Sequence, residues 1–391
     1  MASGWPISLA GVAEIVGEKE LRKLLSQKRP LVVKLGVDPT SSDLHLGHAV
    51  VLRMLRQFQD LGHTAYLIIG DFTASIGDPA GVNKTRPVLT DDQIRDHTRT
   101  YLEQAKLVLD MEKTEVVFNS KWHSAMTLSK FIGYAMQVSV NQLIEREDFA
   151  NRLANQQPLA LHELLYPVVQ ALDSVELKAD VEIGGWDQRL NLLTARELQK
   201  KVGQKPEVLV MMKGLLGTDG VKKMSKSQNN YIGLTDSVDQ MFGKIMSLSD
   251  ELIPNFAELA ASCDDIEVKR LAMLHPKQAK IELGKRIVGL YHGQAAAEAA
   301  AERFEDTFTN RRISSQLVED VSFDDGEIPV IQAVTKAALT STSEARRLIE
   351  QGGIKVNGVT VNDQLYRVDL RKGSVQLQVG KFRFFALRWK K

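Results

Sequence analysis

Two histidines lie three residues apart at a predicted strand-to-helix turn and could act on phosphate groups. His45 and His48 flank Gly47 within residues 43–48, downstream of the apolar run at residues 31–35. Because a helix start presents free backbone N–H groups and a partial positive charge, it suits a triphosphate. The two imidazoles share one helical face, where they could donate hydrogen bonds to phosphate oxygens in a transition state. Gly47 would let a flat base pack directly on the backbone.

This segment alone leaves two other interpretations open. The histidine pair could be a metal site, but no second His-rich segment lies nearby and no Cys supports it. It could also be purely structural. The usual phosphate-binding fingerprints, G-x-x-x-x-G-K-[ST] and G-x-G-x-x-G, are absent from the chain.

A second candidate segment is a loop rich in glycine and lysine at residues 217–227. Gly217 and Gly220 make the loop mobile, and Lys223 and Lys226 could neutralise a leaving pyrophosphate. Ser225 lies between the two lysines. Taken alone, a charged loop of this kind is often no more than a solvated surface segment.

The elements that must position these residues follow from the apolar pattern. Short apolar runs occur at residues 31–35, 65–69, 115–118, 181–183 and 208–212, and amphipathic stretches lie between them. One such stretch has apolar residues three and four apart over residues 51–61 and ends at Gly62, a typical helix C-terminal signal. Strands that alternate with helices predict a doubly wound, Rossmann-like α/β domain with a parallel sheet.

We predict four segments along the chain. Residues 1–220 form the Rossmann-like catalytic domain, and residues 221–315 contain the lysine loop and a helical domain, since strand signals vanish between 247 and 310. Residues 316–328 are acidic and are predicted to be a linker. Residues 329–391 form a small α+β domain with a helical part at 331–351, a Gly-Gly turn and short strands.

Charge and composition limit the possible functions. Residues 329–391 carry twelve Lys and Arg against four Asp and Glu, so a local charge of +8 offsets −7 elsewhere in a chain of net +1. A basic tail on an acidic body suggests a polyanionic partner, although a solvated basic face is an equal alternative. The single Cys cannot form an internal disulfide or a zinc cluster. We expect no metal site, no signal peptide, no membrane span and a cytoplasmic location.

The two candidate segments together resemble the signature pair of class I aminoacyl-tRNA synthetases. His-Leu-Gly-His precedes Lys-Met-Ser-Lys-Ser by about 180 residues on an α/β pattern. The rest of the chain is similar to the bacterial-type tyrosyl-tRNA synthetases over nearly its whole length. The segments that carry this resemblance are 69–73, 76–79, 165–170, 173–174 and 184–188. Residues 343–349 and 353–358 resemble the S4 RNA-binding domain, which the related tryptophanyl enzymes lack.

The resemblance implies roles for individual residues. His45, His48, Lys223 and Lys226 would be catalytic. ATP would be bound by Gly36, Asp38, Thr40, Gly47, Asp187 and Ser225. Tyrosine would be bound by Asp78, Tyr166, Gln170, Asp173 and Gln188, with Asp173 accepting the hydrogen of the substrate hydroxyl. In the basic tail, Arg346, Arg347, Lys355 and Arg371 are the candidates for binding tRNA.

The chain departs from the family pattern at several positions. Lys34-Leu35 stands where one large branch has Tyr-Cys, which places the chain in a second branch with Lys-Leu-Gly before the first signature. The second partner of the substrate hydroxyl is therefore undefined. Trp186 replaces Thr or Ser, Ala171-Leu172 replaces Gly-Tyr, and Gln228-Asn229 replaces Leu-Gly.

The resemblance implies that the chain uses ATP with Mg²⁺ as a substrate, without a tightly bound cofactor. It would charge tRNA(Tyr) with tyrosine and act as a homodimer. Two alternatives are another enzyme of the superfamily, such as a tryptophanyl-tRNA synthetase or a small nucleotidyltransferase, and a non-catalytic RNA-binding protein on a synthetase scaffold. The S4-like tail and Asp173 disfavour the tryptophanyl enzyme, and intact His45, His48, Lys223 and Lys226 disfavour the non-catalytic protein.

Overall fold

The structure is a computed structural model that describes residues 5–40, 43–78, 90–308, 318–380 and 383–390. It divides into two compact units. One contains the described residues of 1–236 and 247–283, and the other those of 237–246 and 284–391. This division differs from the predicted boundaries, because the lysine loop and the first helices after residue 247 pack with the sheet unit. No described helix is long and apolar enough to cross a membrane.

The first unit is built on a six-stranded sheet. Its strands are β1 Val12–Val16, β2 Val32–Val37, β3 Thr64–Ile69, β4 Thr114–Phe118, β5 Val181–Gly185 and β6 Val208–Met212. The order in the sheet is β1-β6-β5-β2-β3-β4, and all neighbours are parallel except β1 and β6. The five predicted apolar runs are strands, so the doubly wound architecture is confirmed. The prediction missed the antiparallel edge strand β1.

Helices connect the strands and lie beyond them. Those of the first unit are α1 Glu18–Leu25, α2 Leu46–Asp60, α3 Asp71–Ile76, α4 Asp91–Ala105, α5 Ser120–His123, α6 Leu128–Ala135, α7 Val140–Ile144, α8 Glu147–Ala154, α9 Leu161–Leu177 and α10 Arg189–Lys201. Helix α2 packs on β2, β3 and β5, and α10 packs on α9, β5 and β6. The predicted end of α2 is confirmed, since the helix ends before Gly62, whose φ is +81°.

The strand order fixes where a ligand can bind. The chain proceeds outward from β2 through β3 to β4 and then crosses back to β5, on the other side of β2. The crevice beyond the carboxyl ends of β2 and β5 is therefore the topological switch point of the sheet. Residues 38–48 leave β2 there, and residues 186–188 leave β5 there.

The predicted helical region follows the sheet. It contains α11 Val238–Met246, α12 Ile253–Leu259, α13 Asp265–Met273, α14 Pro276–His292 and α15 Gln294–Phe308. The boundary between the two compact units falls inside α14, so these helices are not one separate domain. Residues 309–315 of the predicted segment lie outside the described residues.

The second unit contains the basic tail. Its further elements are β7 Val318–Phe323, β8 Glu327–Pro329, α16 Val330–Ala338, α17 Thr342–Glu350, β9 Ile354–Val356, β10 Val359–Thr360, β11 Arg367–Asp369, β12 Val375–Val379 and β13 Arg383–Trp389. A five-stranded sheet has the order β10-β9-β12-β13-β7, and β8 pairs with β11.

The acidic segment 316–328 is not a linker where it is described. Residues 318–323 form β7, which pairs in parallel with β13, and residues 327–329 form β8. Phe323 and Ile328 are buried in the core of the unit. The acidic side chains hid this strand signal, because two adjacent acidic residues interrupt the few apolar positions of residues 318–323. Residues 316 and 317 lie outside the described residues.

Candidate active site

His45 and His48 lie at the N-terminus of α2, at the switch point. His45 is the residue before the helix, with extended backbone, and its N–H donates to Nδ1 of His48 at 3.2 Å. Since Nδ1 of a neutral His48 is thereby an acceptor, its proton must be on Nε2. The helix start thus fixes the tautomer of His48 and leaves Nε2–H as a donor.

Both histidines are neutral at physiological pH. Burial lowers the pKa of His45 to about 2, with smaller effects of His48 and the Lys223 charge. Burial and then Lys223 lower the pKa of His48 to about 4. The rings lie 3.9 Å apart between centroids, and Nδ1 of His45 is buried without a partner among the described residues. They are suited to donate hydrogen bonds to phosphate without carrying charge.

The metal interpretation of this pair gains no support. No cluster of three or more His, Cys, Asp or Glu that could hold a metal ion occurs within the described part of the chain.

Gly47 is needed for a reason that the sequence did not show. A Cβ at this position would lie 3.0 Å from Cε1 and Nδ1 of the His45 ring and 3.7 Å from Cβ of Met224. The glycine therefore allows the His45 ring and the buried methionine of the lysine loop to approach the helix start.

The two signatures meet through backbone hydrogen bonds. Leu46 N–H donates to Ile232 O at 3.0 Å, and Leu234 N–H donates to Leu44 O at 2.9 Å. The segment after the lysine loop is thereby paired with the segment that contains His45. Residues about 180 apart in sequence consequently share one site, as the signature pair predicts.

The loop itself is held by ion pairs and by one buried amide. Nζ of Lys223 lies 2.7 Å from Oδ2 of Asp187, and Lys226 contacts Asp43. Asn230 is buried, accepts the Ser225 N–H at 2.8 Å and donates to Asp219 at 2.9 Å. Sequence analysis missed Asn230. The Lys223 ion pair places Lys223 beside Asp187, and both residues are predicted to act on ATP.

A further departure from the family has a backbone explanation. Asn229, which stands where glycine is usual, has φ +51°. Asparagine tolerates this left-handed conformation better than most residues, so the turn after the lysine loop is preserved.

Asp38 joins the residues predicted for tyrosine, although it was predicted to bind ATP. Its Oδ2 accepts from the hydroxyl of Tyr166 at 2.7 Å, and its Oδ1 accepts from Thr73 Oγ1 at 2.6 Å. Burial, helped by the charges of Asp78 and Asp173, raises the pKa of Asp38 to about 7, whereas the two hydrogen bonds oppose this shift. Of the other residues predicted near ATP, Gly36 and Thr40 are exposed at the end of β2.

A chain of amide hydrogen bonds links three predicted tyrosine-binding residues. Gln188 Nε2 donates to Asp78 at 2.6 Å, and Asn191 Nδ2 donates to Gln188 Oε1 at 2.8 Å and to Gln170 Oε1 at 3.0 Å. Asn191 is buried and was not predicted. Its place one helical turn after Gln188 was the available signal.

Asp173 lies on the same face of α9 as Gln170 and Tyr166, at helical spacings of three and seven. Its side chain is buried and surrounded by donors. Oδ1 accepts from Trp122 Nε1 at 2.9 Å and lies 2.9 Å from His123 Nε2, and Oδ2 is 3.4 Å from Asn119 Nδ2. Sequence analysis missed these three residues, although they follow the carboxyl end of β4, where site residues of parallel sheets gather.

Lys34 does not take the place of the missing hydroxyl partner. Its Nζ lies 2.5 Å from Oε1 of Glu182, and both side chains are almost fully buried. Burial opposes the charge of Lys34, but Glu182, Glu207 and Asp173 raise its pKa. The departure from the family at this position is therefore an internal ion pair below the site.

Trp186, the other bulky departure, is half-exposed at the end of β5. Its ring lies 5.5 Å from the guanidinium carbon of Arg189. The indole therefore lies at the surface and outside the core.

The four candidate tRNA-binding residues differ in their surroundings. Arg346 and Arg347 are exposed on α17, and Lys355 is exposed on β9. Arg347 pairs with Glu344, and Arg371 pairs with Asp369 and Glu327. Arg346 and Lys355 make no ion pair with any described residue, so they are the better placed of the four to meet phosphate.

Comparison with known proteins identifies the family. Residues 26–309 match the model of tRNA synthetases class I (W and Y), and residues 338–372 match the S4 domain. Tyrosine–tRNA ligases of Methylococcus capsulatus and Geobacter metallireducens are each 46% identical over 97% of this chain and 97% of their own length. The fold is similar to that of Archaeoglobus fulgidus tyrosyl-tRNA synthetase complexed with L-tyrosine. That comparison has a TM-score of 0.60 and 24% identity, and it covers 74% of this chain and 96% of that one. A truncated mitochondrial tyrosyl-tRNA synthetase of Aspergillus nidulans gives a TM-score of 0.62 at 18% identity over 76% and 92%. By its catalytic region, its S4 domain and its full-length relatives, the chain belongs to the tyrosine–tRNA ligases of the class I tRNA synthetases.

Proposed function

We propose that this chain activates L-tyrosine with Mg²⁺–ATP and transfers the tyrosyl group to the 3′ end of tRNA(Tyr). The observation that carries the proposal is the meeting of the two signatures at the switch point of the sheet, with Asp173 buried nearby. The S4 match adds an RNA-binding module. A tryptophanyl-tRNA synthetase is disfavoured because the Methylococcus and Geobacter relatives, which match over nearly the full length, are tyrosine–tRNA ligases.

The first step needs no general base. The carboxylate of tyrosine is already ionised and attacks the α-phosphorus of ATP, while the bond to the β,γ-pyrophosphate breaks and pyrophosphate leaves with both electrons. Catalysis then depends on position and on stabilising charge on the phosphate oxygens. Nε2–H of His48 and the ring of His45 would donate to these oxygens, and Lys223 and Lys226 would neutralise the leaving group.

The ion pairs of the lysines fit this role. Lys223 forms an ion pair with Asp187, and Lys226 forms one with Asp43, near the surface of the protein. Exposed pairs of this kind are worth little, so phosphate can compete for the lysines at small cost. Asp187 would then be released to bind the ribose hydroxyls of ATP. Gly36, Thr40, Gly47 and Ser225 would contribute to the same ATP site.

The tyrosine pocket would be formed by polar side chains, of which Tyr166 and Asp173 are buried. Asp78, Tyr166, Gln170 and Gln188 would bind the ammonium and carboxylate ends, and Asp173 would accept the hydroxyl hydrogen. Phenylalanine would leave a buried carboxylate without its partner. A site of this design rejects the analogue by ~10⁴–10⁵, a figure for which the tyrosyl enzyme is itself the general example.

In the second step a ribose hydroxyl of the terminal tRNA nucleotide attacks the carbonyl carbon of tyrosyl-adenylate, and AMP leaves. The S4 unit, through Arg346, Arg347, Lys355 and Arg371, would hold the tRNA by its phosphates, and helices α12 to α15 would face the anticodon side. We place this activity in the cytoplasm, where tRNA is used for protein synthesis.

We further propose that the chain is a homodimer. Helix α6 has no buried residue, and Leu128, Ile132 and Met136 expose 75%, 48% and 79% of their surface, with Val140 at 58% next in the chain. An exposed apolar face of this kind is typical of a protein–protein interface. Met136→Glu should convert the dimer to monomer in light scattering, and an unchanged mass would exclude this face.

The experiment that tests the proposed activity is amino-acid-dependent ATP–pyrophosphate exchange with each of the twenty amino acids, without tRNA. Exchange with tyrosine alone would support the chemistry and the pocket. Exchange with another amino acid would keep the class I chemistry and reject the pocket. No exchange with any amino acid would favour the non-catalytic RNA-binding alternative.

His45→Ala tests the transition-state role. It should lower kcat for exchange by about 10²-fold with little change in KM for ATP, because the donor acts in the transition state. A large rise in KM with unchanged kcat would reject the role.

A further inference from the structure

The carboxylate of Asp173 receives its hydrogen bonds from one short segment. Trp122 Nε1 and His123 Nε2 both lie 2.9 Å from Oδ1, whereas Asn119 Nδ2 lies 3.4 Å from Oδ2. Asp71 ties this segment to the start of α3, because it accepts from the N–H of Ser120 at 2.9 Å and from its hydroxyl at 2.6 Å. These contacts with Asp71 hold residues 119–123, which carry the donors around Asp173, in place.

The position of the proton on His123 follows from this geometry. A bare ring nitrogen and a carboxylate oxygen would repel each other at 2.9 Å, since both carry lone pairs. Nε2 of His123 must therefore carry a hydrogen and donate to Oδ1. The indole N–H of Trp122 then also donates to Oδ1, although it lies 3.1 Å from Nε2. Oδ1 thereby accepts hydrogen bonds from both side chains.

Oδ2 is in the opposite situation. Its one hydrogen bond from a described residue is the long contact to Asn119, whose amide also donates to Thr73 Oγ1 at 3.1 Å. Typical N–H···O hydrogen bonds are about 2.9–3.0 Å long. Oδ2 consequently retains capacity for a strong donor, and the phenolic hydroxyl of a bound substrate is such a donor.

The imidazole of His123 cannot easily turn away from this contact. Its ring stacks on Phe72, with centroids 5.0 Å apart and planes 30° apart, and 7% of the residue is exposed. Its backbone N–H also donates to Asn119 O at 3.1 Å. Packing and backbone bonding thus fix the Nε2–H vector toward Asp173.

We propose that His123 is a specificity-determining positioning residue, which orients Asp173 so that Oδ2 faces the hydroxyl of tyrosine. This inference rests on the proposed role of Asp173 in binding that hydroxyl. Without Nε2–H, the carboxylate can rotate about Cβ–Cγ and present either oxygen to the indole N–H of Trp122. The hydroxyl contact then weakens, whereas contacts to the ring and to the amino-acid backbone do not change.

The test is ATP–pyrophosphate exchange with tyrosine and with phenylalanine, for wild type, His123→Leu and His123→Gln. His123→Leu should lower kcat/KM for tyrosine about 10- to 100-fold, mainly through KM, because a hydrogen bond to a charged group is lost. The kcat/KM for phenylalanine and the KM for ATP should stay within about twofold, so the tyrosine-to-phenylalanine ratio falls by the same factor. Gln keeps an N–H donor and should restore most of the ratio.

His63→Leu is the matched control. His63 lies in the same unit, and its Nδ1 accepts a hydrogen bond from Leu31 N–H at 3.4 Å, away from Asp173. This variant should leave the ratio unchanged. Equal losses for tyrosine and phenylalanine in His123→Leu, or an unchanged ratio, would overturn the proposal.

A second measurement needs no variant. The ¹⁵N signal of His123 Nε2 in the full-length protein should be that of a protonated ring nitrogen, both free and with tyrosine bound, and an unprotonated Nε2 would overturn the proposal. The proposed function fails in a different way, because wild type would then show no tyrosine-dependent exchange at all.

Discussion

The buried pair of Lys34 and Glu182 gives a quantitative test of how the site is supported. Nζ of Lys34 lies 2.5 Å from Oε1 of Glu182, and the two side chains are 1% and 2% exposed, respectively. Ser174, next to Asp173 on α9, donates to the other oxygen of Glu182 at 3.4 Å. Removal of Lys34 would therefore leave a buried carboxylate uncompensated next to the proposed tyrosine pocket.

The expected size follows from the burial of both partners. Lys34→Met should lower the free energy of unfolding by about 3–5 kcal/mol, because one partner of a buried ion pair is removed. Lys34→Met combined with Glu182→Leu should recover most of this loss, since no charge then stays behind without its partner. The loss of the Ser174 hydrogen bond should cost the double variant about 1 kcal/mol.

Glu207, which is fully buried near the same pair, sharpens the test. Burial and the Glu182 charge raise the pKa of Glu207 well above its usual value, although Lys34 opposes this. Burial and the Glu182 charge therefore favour the neutral form of Glu207. Glu207→Gln replaces it with a neutral group of similar shape and should change the free energy of unfolding by less than about 1 kcal/mol. Glu182→Gln should be far more costly.

The assay is urea unfolding followed by tryptophan fluorescence, with Arg22→Met as the control. Arg22 and Glu18 form a pair whose side chains are 47% and 56% exposed, so this substitution should cost less than about 1 kcal/mol. The reasoning fails if Lys34→Met costs no more than Arg22→Met. It also fails if the double variant is as unstable as the single one.

Three other outcomes test the site and the tail. Gly47→Ala should lower kcat for exchange about 10- to 100-fold in a folded protein, because its Cβ would lie 3.0 Å from the His45 ring; unchanged kcat would contradict this. The KM for tyrosine should rise up to tenfold per pH unit below about pH 7, since the raised pKa leaves Asp38 protonated there. Asp38 accepts from Tyr166, which is proposed to bind the amino-acid end of tyrosine, and a nearby ammonium favours the carboxylate form. Asp38→Asn should flatten this profile. The double variant Arg346→Ala, Lys355→Ala should weaken tRNA binding and reduce the slope of log binding constant against log salt concentration by about 2. Arg371→Ala should reduce this slope less. Filter binding at several salt concentrations measures both slopes.

The local pattern of apolar and polar residues in the sequence was enough to predict the main strands, helix α2 and the family. The buried strands produce near-continuous apolar runs, and α2 shows its apolar positions at helical spacing. The order of the two signatures and the acidic and amide residues around Asp173 predicted the family, which the comparisons confirm. The individual roles of His45, Lys223 and the other site residues stay predictions.

Only the tertiary structure decided which residues face one another. Glu182 is 148 residues from Lys34 in sequence, and the pairing arises because β2 and β5 are neighbours in the sheet. Trp122, His123 and Asn191 carry no local signal of their own. They matter because α5 and α10 bring them to α9, where a buried carboxylate or amide needs a partner. Residues 318–323 and 327–329 likewise form strands despite their acidic side chains. They do so because β13 and β11 pair with them and because Phe323 and Ile328 are buried in the core of the unit. Sequence therefore specified the chemical groups and the elements that carry them, whereas long-range packing selected their partners.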